Sequence, residues 1–396
     1  MKILMLVPFL PNTYMSGGQT RWYNIIRYLS KNHEITLFSL IKDESERRFI
    51  PDLEKYCKKV LVFRRPRSPW TLRNILLTAF SYYPLLVIRN WSYLERLAIR
   101  DELKKEKYDL IHAETFYVMP HLPDTNIPTI LVEQTIEYLV YKHHVDTQVP
   151  WFLRPIFMID VYKLRYWEKH FWKKAHKLVA VSDDDRKIMQ KEIKGIKVEI
   201  IPNGIDSAFY SEKKYSKYET PRVLYVGNFK WLQNVEAVNY LIKEVWPKII
   251  SEYKNAKLWI VGRSIPSDIK QLSNSDESIE FSENMKETRK AYQKSMVMVV
   301  PIFGPGGTRL KVLEALAAGL PVVSTSIGVA GLHVEDGKHV VVSDTAEGLA
   351  KATIDILNRP KYSKEIGLNG QNFVKDKYDW KTIVKIHDEI YNQVIK

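Results

Sequence analysis

The stretch Pro301 to Thr325, PIFGPGGTRLKVLEALAAGLPVVST, decides the fold class. An apolar run, Met296 to Val300, leads into it and a second, Pro321 to Thr325, closes it. Both have the length and β-branched content of buried parallel strands. Between them the pattern predicts a loop, Gly304-Pro305-Gly306-Gly307, and a helix over Thr308 to Ala318, with Leu310, Leu313, Leu316 and Ala317 on one face and Gly319 as its stop. Strand, glycine loop, helix is an anion-binding layout, because the first amides of such a helix lack internal partners and carry roughly half a positive charge. Arg309 and Lys311 add two side-chain cations in the same turn. Glu314 stands about 9 Å along the axis from Thr308, a span that suits a nucleoside diphosphate with phosphates at the helix start and a ribose at the carboxylate. The competing reading pairs Glu314 with Lys311 at i,i+3 on a solvated face.

Outward from this stretch, apolar runs alternate with helical segments along the whole chain. Strands are expected at Lys2–Val7, Glu34–Leu40, Val60–Phe63, Leu110–His112, Thr129–Glu133, Leu178–Val181 and Val198–Ile201. The second half repeats the pattern at Arg222–Val226, Leu258–Val261, Ile279–Phe281, Met296–Val300, Val322–Ser324 and Val340–Val342. Strands buried on both faces and separated by helices imply α/β architecture with parallel sheets. At 396 residues the chain has room for two doubly wound, Rossmann-like domains facing a cleft. The turn Pro202-Asn203-Gly204 marks the break, giving domains over 1–204 and 205–377 and a terminal helix over 378–396 that returns to the first.

Composition narrows the class. A single cysteine, Cys57, rules out an internal disulfide and fits a reducing compartment. The N-terminal apolar run breaks at Pro8 and Pro11 without a small-residue cleavage site, and Ile75 to Ile88 is too short and too polar to span a bilayer. A cytoplasmic protein, peripheral on the inner face of a membrane, is the expectation. Net charge is +14, and residues 1–205 hold 33 Lys+Arg against 23 Asp+Glu. Within that half, Arg64–Lys105 and Trp151–Lys177 interleave basic residues with Trp, Tyr and Phe, which suits an anionic membrane surface as well as an ordinary basic face. No nucleic-acid motif accompanies the charge, so nucleic acid is not an expected partner.

Several segments together resemble a retaining glycosyltransferase of family 4 with the two-domain GT-B fold. They are SGGQTR (Ser16–Arg21), YDLIHAE (Tyr108–Glu114), VSDDDR (Val181–Arg186), IPNGID (Ile201–Asp206), VLYVGN (Val223–Asn228) and the GGTRLKVLEALAAGLPVVST run. The resemblance implies a nucleotide-sugar donor, UDP- or GDP-linked, a glycan or lipid-linked acceptor, and no required cofactor. It places the donor at Gly17, Gly18, Gly307, Thr308, Arg309, Lys311 and Glu314, with Glu314 on the ribose. A second glutamate common in the family is Gly306 here, and the family's arginine and lysine after the first strand of the second domain correspond to Asn228 and Gln233. His112 and Glu114 are expected to contact sugar or acceptor as the catalytic pair, a buried structural histidine being the other reading. Glu133 and Glu137 are possible acceptor contacts. Asp183, Asp184 and Asp185 read as helix-start acids behind a Ser182 cap, so no metal is expected. Two alternatives stay open at this point: another enzyme on the same fold, such as a nucleotide-sugar 2-epimerase or a phosphorylase, and a non-catalytic basic protein that binds membrane or nucleic acid.

Overall fold

The computed structural model describes residues 1–13, 17–211, 220–272, 276–285, 287–304 and 309–395. The chain forms two compact units, one from Met1–Pro202 with Ile383–Lys396 and one from Asn203–Thr382.

The first unit is built on seven parallel strands: β1 (Lys2–Val7), β2 (Glu34–Ile41), β3 (Lys59–Arg64), β4 (Leu110–Glu114), β5 (Thr129–Glu133), β6 (Lys177–Ala180) and β7 (Val198–Ile200), in the order β3-β2-β1-β4-β5-β6-β7. The order reverses between β1 and β4, where Ile3 pairs with Leu110 and Met5 with His112. In a doubly wound sheet such a reversal opens a crevice at the carboxyl ends of the strands. Those ends carry Phe9, Lys42, Arg65, Thr115 and Gln134, each within a few residues of its strand.

The second unit repeats the plan with six parallel strands: β8 (Arg222–Asn228), β9 (Lys257–Arg263), β10 (Ile279–Glu283), β11 (Val297–Val300), β12 (Val322–Ser324) and β13 (Val341–Val342), in the order β10-β9-β8-β11-β12-β13. Val223, Leu224, Val297–Val300, Val322 and Val323 are fully buried in its core with Val312, Leu313 and Leu316 of the helix Leu310–Ala317. The near-continuous Val/Ile/Leu runs in the sequence are thus strands covered on both faces, which is why they do not alternate.

The helix Leu310–Ala317 is shorter than the expected Thr308–Ala318. Arg309 takes the N-cap position with extended backbone, so it precedes the first turn and does not lie in it. At the other end Gly319 has φ 68°, and the Leu320 amide donates to the Ala315 carbonyl at 2.9 Å, a left-handed stop that favours glycine.

Candidate functional site

In the second unit the helix Leu310–Ala317 carries two half-buried charged side chains, Lys311 and Glu314, among apolar neighbours. No ion pair joins them. Lys311 reaches instead toward the end of β8, where Nζ donates to Asn234 Oδ1 at 2.5 Å and to the Tyr225 hydroxyl at 3.2 Å, 4.5 Å above the Tyr225 ring. Asn234 is itself anchored, its Nδ2 donating to the Asn228 carbonyl at 2.7 Å. Burial, reinforced by the neighbouring Arg309 charge, pushes the Lys311 ammonium down to about 7. Arg309 turns back to the glycine loop, with Nη2 on the Gly304 carbonyl at 2.9 Å. Gly306, Gly307 and Thr308 lie outside the described residues.

Glu314 faces the other way round the helix. The Tyr292 hydroxyl donates to its Oε2 at 2.5 Å, and the Tyr210 hydroxyl donates to the same carboxylate. Burial raises its pKa, while the two hydroxyls and Lys311 pull it back. Two hydroxyl donors fix the orientation of a carboxylate that has acceptor capacity left for further hydroxyls. The surface i,i+3 pair is thereby replaced by two separate, anchored groups on one helix.

In the first unit the structure brings Gly18, His112 and Glu114 together. His112 Nε2–H donates to Glu114 Oε1 at 3.0 Å, and Nδ1 meets the Tyr391 hydroxyl at 2.5 Å. Glu114 Oε2 accepts from Gln134 Nε2 at 3.1 Å, and a Cβ on Gly18 would come within 2.9 Å of Gln134 Oε1. A side chain at Gly18 would have to displace the end of Gln134, which sits over the start of the helix Gly17–Leu29. Burial opposes ionisation of Glu114, but His112, Arg21 and Gln134 outweigh it and hold its carboxyl below its ordinary value. Both His112 and Glu114 are completely enclosed, and the ring of His387 stacks beside His112 at 6.0 Å. As placed here they present no atom to a ligand, and Glu114 is linked to Gly18 only through Gln134. The buried-histidine reading describes this geometry.

Glu133 and Glu137 differ sharply. Glu133 is fully enclosed, with Oε1 accepting from the Trp172 indole at 3.0 Å. Burial and the neighbouring Glu168 carboxylate raise its pKa well above the ordinary carboxylate range, and it offers no surface to an acceptor. Glu137 is half-buried at the start of the helix Glu137–Gln148, where burial lifts its carboxyl to about 7 against the pull of Arg89. The amides of Glu137 and Tyr138 are capped by Glu168, a partner 31 residues away in sequence. Ser182 caps its helix as expected: the Asp185 amide donates to its Oγ at 3.1 Å, and Asp183 pairs with Arg186 and Lys187. Among the described residues no group of His, Cys, Asp and Glu could hold a metal ion.

Two family models match the chain in succession, Glycosyltransferase Family 4 over residues 15–209 and Glycosyl transferases group 1 over residues 220–359. The chain belongs to the family 4, group 1 glycosyltransferases. An uncharacterized 44.6 kDa protein in the cps region of Klebsiella pneumoniae is 25% identical over 395 residues, covering 96% of this chain and 97% of that protein. The alpha-monoglucosyldiacylglycerol synthase of Acholeplasma laidlawii is 23% identical and covers 83% and 84%. Among solved structures, Anabaena HepE in complex with UDP-glucose superposes with TM-score 0.67 at 14% identity, covering 99% of this chain and all of that one, and shares the GT-B fold.

This glycosyltransferase also displays a feature whose halves lie far apart in sequence. Phe80, Tyr82 and Leu72 on one side, and Trp151, Ile156 and Tyr166 on the other, are all exposed, Phe80 by 87% and Ile156 by 65%. The helix Arg154–Lys174 holds the two sets side by side: Lys163 Nζ donates to the Thr78 and Ser81 carbonyls, Trp167 Nε1 to the Tyr82 carbonyl, and the Tyr83 and Trp167 rings stack at 4.4 Å. The two basic, aromatic segments of the sequence thus make one apolar face. Among the described residues no helix is long and apolar enough to cross a membrane.

Sequence reasoning missed Tyr225, Asn234, Tyr210 and Tyr292, the groups that hold Lys311 and Glu314. Nothing in the sequence marks them, since each meets its partner only across the folded sheet.

Proposed function

We propose that this glycosyltransferase moves a hexosyl group from a nucleoside-diphosphate sugar, UDP- or GDP-linked, onto a lipid-linked or cell-surface glycan acceptor with retention of configuration. The observation that carries the reading is the pair Lys311 and Glu314, two charged groups on one short helix that are anchored by neutral partners and not by each other. A diphosphate fits the Arg309–Lys311 end and a ribose diol fits the oriented carboxylate. The UDP-glucose bound by HepE supports a uridine donor, and the glycolipid named for the Acholeplasma relative supports a lipid acceptor.

In the reaction the bond from the sugar C1 to the diphosphate oxygen breaks and its electron pair leaves with the diphosphate. The acceptor oxygen bonds C1 on the same face and gives its proton to the leaving phosphate oxygen. Arg309 and Lys311 stabilise the charge that develops on the diphosphate. Gly17 and Gly18, set by Gln134 and Glu114, let a ligand approach the backbone of the first unit closely. The exposed apolar face, with Arg73 and Arg154 on the same helical segments, docks on an anionic membrane surface from the cytoplasmic side.

A thermal-shift screen against UDP, GDP and their sugars tests the donor assignment, since a ligand that binds only the folded state raises its stability. Stabilisation by one nucleotide series, lost in Glu314→Gln, is the expected outcome; no stabilisation by any of them would sink it.

A further inference from the structure

At the carboxyl edge of the first sheet sit two arginines, Arg65 and Arg89, that form no ion pair among the described residues. Arg65 directly follows β3, and its backbone amide continues the ladder by donating to the Ile41 carbonyl at 3.0 Å. Its guanidinium lies 4.4 Å above the Phe9 ring and the residue is only 5% exposed. Arg89, in the last turn of the short helix Leu85–Asn90, is close enough that the two charges repel. Among the described residues, Arg65 Nε and Nη2 and Arg89 Nε are buried and make no hydrogen bond. Lys42 reaches the same Phe9 ring at 5.7 Å.

Among the described residues no carboxylate forms an ion pair with Arg65 or Arg89. The Glu46 charge acts on Arg65 without an ion pair, and its Oε1 accepts from the Lys42 and Asp43 amides. Glu137 faces Arg89 without a hydrogen bond and is lifted toward neutrality by its own burial. The Tyr117 hydroxyl stands among Arg65, Arg89 and Glu137. Beside it, Thr115 holds φ 71°, an outlier for a β-branched residue at a strand end. Burying guanidinium donors unpaired costs several times what an ordinary hydrogen bond returns, so a fold that keeps two of them together keeps them for a ligand.

We propose that Arg65 and Arg89 form an anion-binding subsite that holds a phosphate or carboxylate group carried by the acceptor, with Glu137 and Tyr117 at its margin. It rests on the acceptor reading above and adds a chemical class: the acceptor is anionic near its reacting hydroxyl. A guanidinium presents paired donors to either oxyanion, so both sources are tested.

The enzyme, saturated with UDP to fill the donor site, is titrated with methyl phosphate and with glucuronate at constant ionic strength, and affinity is read by thermal shift. Saturable stabilisation by one of the two anions is expected. Arg65→Met and Arg89→Met should each weaken it about tenfold or more while UDP affinity stays unchanged. Without any anion, Arg65→Met should melt at or above the wild-type temperature, because methionine keeps the stem over Phe9 and removes an unpaired buried charge. Three results would overturn the proposal: neither anion acting beyond chloride, both variants binding the anion like the wild type, or Arg65→Met melting several degrees lower. If UDP fails to bind, the donor reading falls instead, and the same anion titration without UDP still decides on the two arginines.

Discussion

Lys311 Nζ lies 2.5 Å from Asn234 Oδ1, so the amine next to the glycine loop is held by a neutral amide and a tyrosine, with burial lowering its pKa to about 7. A diphosphate beside it would raise that pKa again. The sign follows: below pH 7 the free enzyme already carries the ammonium, and above it binding must take up a proton. UDP affinity should therefore be flat below about pH 7 and fall up to about tenfold per pH unit above it. Calorimetry between pH 6 and 8.5 checks this, and Lys311→Met should bind more weakly with a flat profile.

Glu314→Gln keeps the shape of the side chain and its contact with Tyr292 but loses the charged acceptor. Transfer, read as kcat/KM for the donor, should fall by about 10- to 100-fold, the effect of losing charge-assisted hydrogen bonds. The melting temperature should hold, because the carboxylate gains little from burial. Kinetics indistinguishable from wild type would remove Glu314 from the donor site.

The His112–Glu114–Gln134 chain predicts a stability effect. His112→Ala should cost about 3 kcal/mol by leaving Glu114 with fewer partners in a buried site, and Tyr391→Phe about 1 kcal/mol. Because the Glu114 carboxyl is held below its ordinary value, it contributes stability that is present above the usual carboxylate pKa and lost as pH falls through the lowered one. Melting curves between pH 3 and 7 should show Glu114→Gln least different from wild type at the acid end. On the proposed reading, in which Arg309, Lys311 and Glu314 hold the nucleotide, His112→Ala should lower the melting temperature far more than UDP affinity.

The exposed face around Phe80 and Ile156 should bind vesicles that contain phosphatidylglycerol, more weakly at 0.5 M than at 0.1 M salt. Phe80→Ser and Ile156→Ser should each reduce co-sedimentation about tenfold, the effect of removing a large apolar side chain from the interface. Equal sedimentation of wild type and the double variant would exclude this face as the docking surface.

The strands were legible because each is a local signal. A buried parallel strand writes itself as a short Val/Ile/Leu run, and all thirteen expected runs are strands among the described residues. The Ser182 cap and the Gly319 stop were legible for the same reason, each being a relation within a few residues. The helix start was misplaced by two residues because Arg309 adopts the extended conformation of a cap, which nothing in its chemistry announces. Glu133 and Glu137 looked alike in VEQTIEY, yet one is enclosed against Trp172 and the other half-open beside Arg89.

By itself, then, the sequence determined the order of strands and helices and the identity of the charged groups, since period, caps and breakers act over one or two turns of chain. The partners were decided by the tertiary structure alone. Lys311 meets Asn234 across 77 residues, His112 meets Tyr391 across 279, and Arg65, just after β3, is brought near Arg89 of the helix Leu85–Asn90 only by the fold. Which charges are answered and which are left open is a property of burial and distance, and those exist only once the sheets have formed.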